Sequence, residues 1–458
     1  MNYDVIIVGA GPAGIFASYE LTLKWPGLKV LLLEKGRPIE RRMCPMSRGG
    51  SCSDCKPCSI TSGFGGAGAF SDGKLTLTTE FGGTLDEYVG KNEVEELIRY
   101  IDDIYVNFGG THETHGTDKE KIKKISRAAA SADLKFIPAR IRHLGTEKCC
   151  EILKNMQEYL SERVDLKTGC RVLDILIENG RAVGVSTDKG DFYGNYIMVA
   201  PGRNGAGWFR AQCGKLGLKT VNNAVDIGVR VEVPAEIMED ITEAVYESKL
   251  IYYTKSFDDR VRTFCMSPYG EVVEENVDGL KTVNGHSYKD KKTSNTNFAL
   301  LVSKEFTEPF HEPIDYGKYI ARLANMLGEG VIVQRLGDLL DGRRSTPERI
   351  KRGLLEPTLK AAVPGDLSLV LPYRHLTDII EMLQAMDKIA PGVFSKHTLL
   401  YGVEVKFYSS RVSLTDSLET KIENLYAAGD GAGVSRGLAQ ASASGVLVAR
   451  QILTREEE

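Results

Sequence analysis

The chain has no excess of either charge. Its 458 residues carry a net charge of −4, which leaves no basic field for nucleic acid or anionic lipid. It also lacks any apolar run long enough to span a bilayer. A secretory signal is not expected either: Asp4 stands where a positive region belongs, and residues 5–8 are too short an apolar stretch. A cytoplasmic location follows as the expectation, and there the nine cysteines are expected to be thiols, metal ligands or catalytic groups rather than disulfides. Internal repeats are missing too. What the sequence has in plenty is glycine, 47 residues, gathered in short clusters that indicate tight loops.

A chain of this length exceeds one ordinary core. Residues 3–8 form an apolar β-type run, 14–24 a helical pattern and 30–33 a second buried strand, an alternation that predicts a parallel, doubly wound α/β sheet. Helical patterns follow at 93–108, 119–132 and 146–163, the last opening at a cap-like Thr146. Short β-type pieces then run from 169 to 200, with Asn179-Gly180 as a hairpin turn between two of them. The texture changes from 226 to 395, mixing strands with amphipathic helices at 316–327 and 378–389, and returns to the first kind at 424–453. We therefore expect a first domain over 1–225, with a helical excursion at about 85–143, an inserted α+β substrate domain over 226–395, and the first domain's C-terminal part over 396–458.

Gly9, Gly11 and Gly14 form a GxGxxG turn between strand and helix, with Pro12 and Ala13 opening the helix. The first glycine allows the tight turn, the second lets a diphosphate approach the backbone, and the third packs helix on strand. The phosphates meet free amides at the helix N-terminus. Glu34 ends the second strand, where an acid accepts hydrogen bonds from ribose hydroxyls; Lys35 follows it. A second dense glycine loop runs from Gly63 through Gly65, Gly66, Ala67 and Gly68 to Lys74. Small residues there let the backbone approach a ring system, and Lys74 suits a phosphate or a substrate acid.

Cys44, Cys52, Cys55 and Cys58 fall within fifteen residues, a density that suits zinc or an iron–sulfur cluster. The spacing matches ferredoxin in part, since the fourth ligand lies upstream. A redox dithiol of Cys52 and Cys55, after Gly49-Gly50, is a second reading, and unligated thiols a third.

The run 425–430, Leu-Tyr-Ala-Ala-Gly-Asp, resembles the second FAD signature of the glutathione-reductase-like flavoproteins. The resemblance implies that Gly429 and Asp430 hold the ribityl chain, and that the helix opening at Leu438 and Ala439 points at the flavin. Ala200-Pro201-Gly202 resembles that superfamily's middle signature, with proline in place of the usual threonine, and Val172 lies on a strand assigned to the same site. Over nearly its whole length the chain resembles a bacterial family of FAD-dependent dehydrogenases. These are relatives of the geranylgeranyl-reductase and p-hydroxybenzoate-hydroxylase-like flavoproteins, and the segments that carry the likeness include GFGGAGAFSDGKLTL, TFCMSPYGEVV and VNGHSY. It implies a Rossmann-type FAD domain, its parallel sheet carrying a β-meander, with the inserted domain's 263–273 and 284–288 over the flavin. Cys265, Tyr269, Asn284 and His286 are the polar candidates there, beside Lys74, for catalysis on an organic small molecule. No second GxGxxG supplies an NAD(P)H domain, so electrons are expected from transient NAD(P)H, a ferredoxin-like protein or the cysteine cluster. Alternatives are a thiol–disulfide reductase and a non-catalytic electron carrier or redox sensor.

Overall fold

The structure is a computed structural model that describes residues 2–45, 53, 55–71, 73–221, 223–277, 279–287, 292–304 and 312–457. In chain order the elements used below are β1 (Asn2–Val8), α1 (Pro12–Lys24), β2 (Val30–Glu34), β3 (Gly190–Val199), α2 (Gly202–Lys215), β4 (Val225–Pro234), β5 (Arg260–Ser267), β6 (Leu280–His286), β7 (Asn295–Lys304), α3 (Tyr373–Asp387), β8 (Leu399–Lys406), β9 (Leu425–Ala427) and α4 (Leu438–Glu457).

The chain divides into two units. The first gathers Met1–Glu113, Arg142–Asn223 and Tyr408–Glu458. Its seven-stranded sheet runs Asp165–Thr168, β2, β1, β3, Arg181–Thr187 and Val172–Glu178, with β9 on the C-terminal half of β3. The β1–β2, β1–β3 and β3–β9 pairs are parallel, while Val172–Glu178, Arg181–Thr187 and the start of β3 form an antiparallel meander. The expected α/β fold with a parallel sheet and meander is what is seen. The predicted turn is there as well: Asn179 and Gly180 both take positive φ, 51° and 80°, as a two-residue hairpin of this twist requires.

Val5 to Val8 are buried, as a strand covered on both faces must be. α1 and α4 cross so closely that a Cβ on Gly445 would stand 2.0 Å from the Ala13 carbonyl oxygen. Helix Thr146–Ser161 begins at Thr146, but its cap is Gly145, not Thr146.

The second unit comprises Thr114–Ile141 and Ala224–Phe407. Its eight-stranded sheet has the order Val363–Pro364, Ile332–Arg335, β8, β4, β7, β5, Lys249–Tyr253, Lys135–Ile137. On β4, Val225, Ile227, Val229, Val231 and Val233 join the apolar core. Strand alternation turns Asp226, Arg230 and Glu232 to the other face, where they too are buried. β8 belongs to this sheet, so the unit runs to Phe407 where the sequence reading closes it at 395, and Thr114–Ile141 joins it rather than the first unit's helical excursion.

Candidate functional site

The C-terminal ends of β1, β2, β3 and β9 lie side by side in one parallel array, with β1 flanked by β2 on one side and β3 on the other. In open α/β sheets the ligand crevice lies outside such a switch point. The glycine turn after β1 is built to be tight: Gly9 takes φ +105°, and a Cβ there would meet the Ala200 carbonyl oxygen at 2.2 Å. A Cβ on Gly14 would meet the Gly9 oxygen at 1.9 Å, whereas the Cβ direction of Gly11 faces only Gly66 Cα, 4.0 Å away. The first and third glycines are thus fixed by packing, and the second leaves its backbone approachable. Pro12 opens α1 at a position where no amide proton is needed, and Ala13 behind it is buried.

Glu34 is buried at the end of β2 and gathers three chain segments. Its Oε2 accepts the Ala10 amide at 3.0 Å, and its Oε1 accepts those of Gly36 at 2.8 Å and Gly63 at 2.9 Å. Oε2, with one donor, retains acceptor capacity for a ribose hydroxyl. Lys35 donates to Asn204 Oδ1 at 2.5 Å, and its pKa is lowered by burial against the pull of Glu34. Val172 begins its strand two residues after Cys170, whose amide bonds the Glu34 carbonyl at 3.0 Å.

The second glycine loop lies against the first. Gly65 N–H donates to the Ala10 carbonyl at 2.7 Å, and a Cβ on Gly66 would stand 3.2 Å from Gly11 Cα. Gly66, Ala67 and Gly68 continue as a short 3-10 turn. A Cβ on Gly68 would press to 2.7 Å on Leu438 Cδ2, so the loop also touches the start of α4, where Ala439 is buried. Beneath the loop lies Arg42, a residue with no spacing signature and absent from the sequence reading. It is 5% exposed and donates to the carbonyls of Ser59 (3.0 Å), Ile60 (2.7 Å), Phe64 (2.6 Å) and Gly66 (2.8 Å). Burial pushes its pKa down to about 10, against the fields of Glu34, Cys150 and Cys58.

At the ends of β3 and β9 the remaining motifs meet. Ala200 N–H bonds the Val8 carbonyl at 2.8 Å, and a Cβ on Gly431 would meet the Gly202 oxygen at 2.6 Å, so the Ala-Pro-Gly and Gly-Asp segments touch. Gly429 takes φ +74°, and its amide donates to Ser444 Oγ at 3.0 Å. Asp430 accepts from Ser435 Oγ at 2.6 Å and from Arg203 Nε at 3.0 Å, which leaves each oxygen a further acceptor site. Arg203 and Asn204, just after the middle signature, were likewise missed; each bonds a residue more than a hundred and fifty positions away.

Of the cysteine cluster, Cys52 lies outside the described residues. Cys44 is buried, and Cys55 and Cys58 are half-buried. Among the described residues no three Cys, His, Asp or Glu side chains stand close enough to hold a metal ion. The Cys55 thiol is lowered chiefly by the Ser59 backbone amide, with the Ser59 and Ser53 hydroxyls adding to it. Lys74 sits at the head of the short strand Lys74–Thr76 in the first unit.

The other catalytic candidates lie in the second unit, around Arg230. This wholly buried guanidinium forms a two-point pair with Glu404 (2.8 and 3.1 Å). It also donates to Asn297 Oδ1 (2.6 Å), the Cys265 carbonyl (3.0 Å) and Asn284 Oδ1 (3.4 Å). Cys265 takes φ +37° at an irregular step of β5. Burial alone would raise Glu404, but Arg230 and Lys406 hold it below the usual carboxylate range. The structure therefore brings Cys265 and Asn284 together. Tyr269 faces elsewhere, donating to Glu239 at 2.6 Å, a bond that with burial pushes the phenol up to about 12. His286 pairs across the hairpin with Glu271.

Fold and site together define an α/β protein in which the glycine turn, Glu34, Ala200-Pro201-Gly202 and Gly429-Asp430 meet at the ends of β1, β2, β3 and β9. Residues 224–407 match the family described as FAD-dependent protein, C-terminal domain-like, and residues 1–39 match the Thi4 family. A protein of Clostridium beijerinckii described as uncharacterized is 26% identical over 475 residues, spanning 98% of this chain and 80% of that one. L-proline dehydrogenase from P. horikoshii aligns over 99% of this chain and 94% of its own, at 13% identity and a TM-score of 0.42. Glycine oxidase from Bacillus cereus aligns over 99% and 96%, at 13% identity and 0.39. No helix among the described residues is long and apolar enough to cross a membrane.

Proposed function

We propose that the protein is an FAD-dependent oxidoreductase passing hydride or electrons between flavin and an organic small molecule. The observation that carries this reading is the meeting, at the ends of adjacent parallel strands, of the GxGxxG turn, Glu34, Ala200-Pro201-Gly202 and Gly429-Asp430. The family match over residues 224–407 supports FAD in particular. When bound, the flavin supplies the redox chemistry. The chain's part is to receive the diphosphate at the start of α1, to offer Glu34 to the ribose and Asp430 to the ribityl hydroxyls, and to set α4, beginning at Leu438 and Ala439, beside them. Lys35, Val172 and Gly65 to Gly68 line the same site. Lys74, Cys265, Tyr269, Asn284 and His286 remain the candidates for handling substrate. Of these, Cys265 and Asn284 stand best placed, because one buried guanidinium fixes both.

Zinc or an iron–sulfur cluster on Cys44, Cys52, Cys55 and Cys58 would require Cys44, Cys55 and Cys58 to draw closer than they stand in this structure; NAD(P)H or a ferredoxin-like protein is the electron donor in the same reading. The test is the visible spectrum with iron, zinc and acid-labile sulfide content, on protein purified without oxygen. Flavin bands released as FAD are expected, and a colourless protein that takes up no FAD would sink the proposal. Stoichiometric iron and sulfide would direct the donor search to ferredoxin-like proteins; their absence would direct it to NAD(P)H.

A further inference from the structure

Arg42 is a buried cation whose bonds all go to neutral carbonyls; no carboxylate among the described residues is bonded to it. Those carbonyls fall in two groups. Ser59 and Ile60 directly follow Cys58, the last of the clustered cysteines, whereas Phe64 and Gly66 belong to the glycine loop that rests on Gly11. One planar fork therefore spans both segments, and the Phe70 ring covers it with its centroid 4.9 Å away. The seat is tight, since a Cβ on Gly63 would stand 2.6 Å from Arg42 Cδ. Glu34 holds the same loop from the other side through the Gly63 amide.

A lysine cannot reproduce this arrangement, because its single ammonium is a point charge and lacks the fork that reaches four acceptors. A buried guanidinium bonded only to carbonyls depends on nearby anions to offset its charge. The field of Glu34 supplies part of that offset, and the diphosphate expected at the adjoining glycine turn would add to it.

Resting on the FAD reading above, we infer that Arg42 is a positioning residue of the dinucleotide site. It seats the Gly63–Gly66 loop on the phosphate-binding turn, and through the same bonds it couples the cysteine segment to occupancy of that site. Because coupling between two sites is reciprocal, FAD should tighten the cysteine segment as much as that segment tightens FAD.

The test uses full-length protein stripped of flavin and treated with chelator. FAD affinity is read by flavin fluorescence, and alkylation of the peptide bearing Cys55 and Cys58 by mass spectrometry, with and without FAD. In the wild type, FAD is expected to slow alkylation by about fivefold or more. Arg42→Lys, which keeps the charge, is expected to weaken FAD by about tenfold or more and to abolish the protection. Arg42→Met should be weaker still. Equal alkylation rates with and without FAD in the wild type would overturn the inference without recourse to any variant. So would an Arg42→Lys protein that binds FAD within about twofold of wild type and keeps the protection. A wild type that binds no FAD removes the function reading and this inference together; wild-type binding with an unaltered Arg42→Lys removes this inference alone.

Discussion

Glu34 shows how a residue legible in the sequence acquires a second role in the fold. Its place twenty residues after Gly14 marks it as a ribose acid, but nothing in the spacing tells that its carboxylate also ties the turns at Ala10, Gly36 and Gly63 together. Glu34→Gln would turn an amide N–H toward some of these donors. The expected cost is about 1–3 kcal/mol of stability in urea unfolding, together with weaker FAD binding. A variant as stable as wild type would show that those bonds contribute nothing net. Arg42, Arg203 and Asn204 were illegible for a plain reason: they bond backbone carbonyls or distant side chains, and such partners leave no periodicity. A different residue-scale device lies on α3. Asp378 is wholly buried beside Asp259 and accepts the Thr254 hydroxyl at 2.8 Å. Burial, with Asp259 alongside, pushes Asp378 up to about 6 from 3.8, while Arg374 and Lys304 outweigh burial to hold Asp259 low. A raised carboxyl stabilises the fold below its ordinary value, and that contribution is lost as pH rises through about 6. His375, buried with both ring nitrogens unbonded, is lowered to about 4 by burial, so its contribution runs the other way and is lost as pH falls from 6.5 toward 4. Asp378→Asn keeps the His375 behaviour and removes the other. Its melting temperature should gain on wild type progressively between about pH 4 and 7, and a pH-independent difference would refute the assignment.

At the scale of elements, strongly patterned segments were readable and their ends less so. The helix expected at 119–132 is Lys119–Ser131, and the one expected at 93–108 is Lys91–Asn107, because amphipathic periodicity reports a buried face directly. The last of the short β pieces expected between 169 and 200 is in fact one long continuous strand, β3. Its first half pairs antiparallel with Arg181–Thr187 and its second half pairs parallel with β1. That change of partner is a tertiary fact with no local signature. Close helix contact is equally hidden. Gly445 in α4 reads as an unremarkable small residue, yet it lets α4 lie on the backbone of α1 at Ala13, beside the glycine turn. Gly445→Ala should therefore push two helices apart rather than merely improve helix propensity, costing about 1–3 kcal/mol by thermal or urea unfolding and lowering the FAD content of the purified protein. Stabilisation, the result expected for an exposed helical glycine, would contradict the packing.

The first unit is assembled from three stretches of chain, so its crevice exists only once residues near 10, 65, 200 and 430 have come together. The sequence could supply each stretch, since each motif is local. It could not show that 114–141 and 399–406 belong to the other unit, because membership of a sheet is decided by partners far away in the chain. This assembly has a thermodynamic consequence that can be mapped. A ligand that binds only the folded form stabilises it by mass action, about 2.7 kcal/mol at a free concentration one hundred times Kd. The gain is spread over every segment whose opening breaks the site. Hydrogen exchange of the stripped protein, measured with and without FAD, should slow at 9–15, 63–70, 200–204 and 429–440 together, although these stretches are scattered along almost the whole chain. The second unit's α3 offers an internal comparison within the same sample. If only 9–15 were protected, the glycine turn would be acting alone, and the convergence of the other three segments on the cofactor would have to be abandoned.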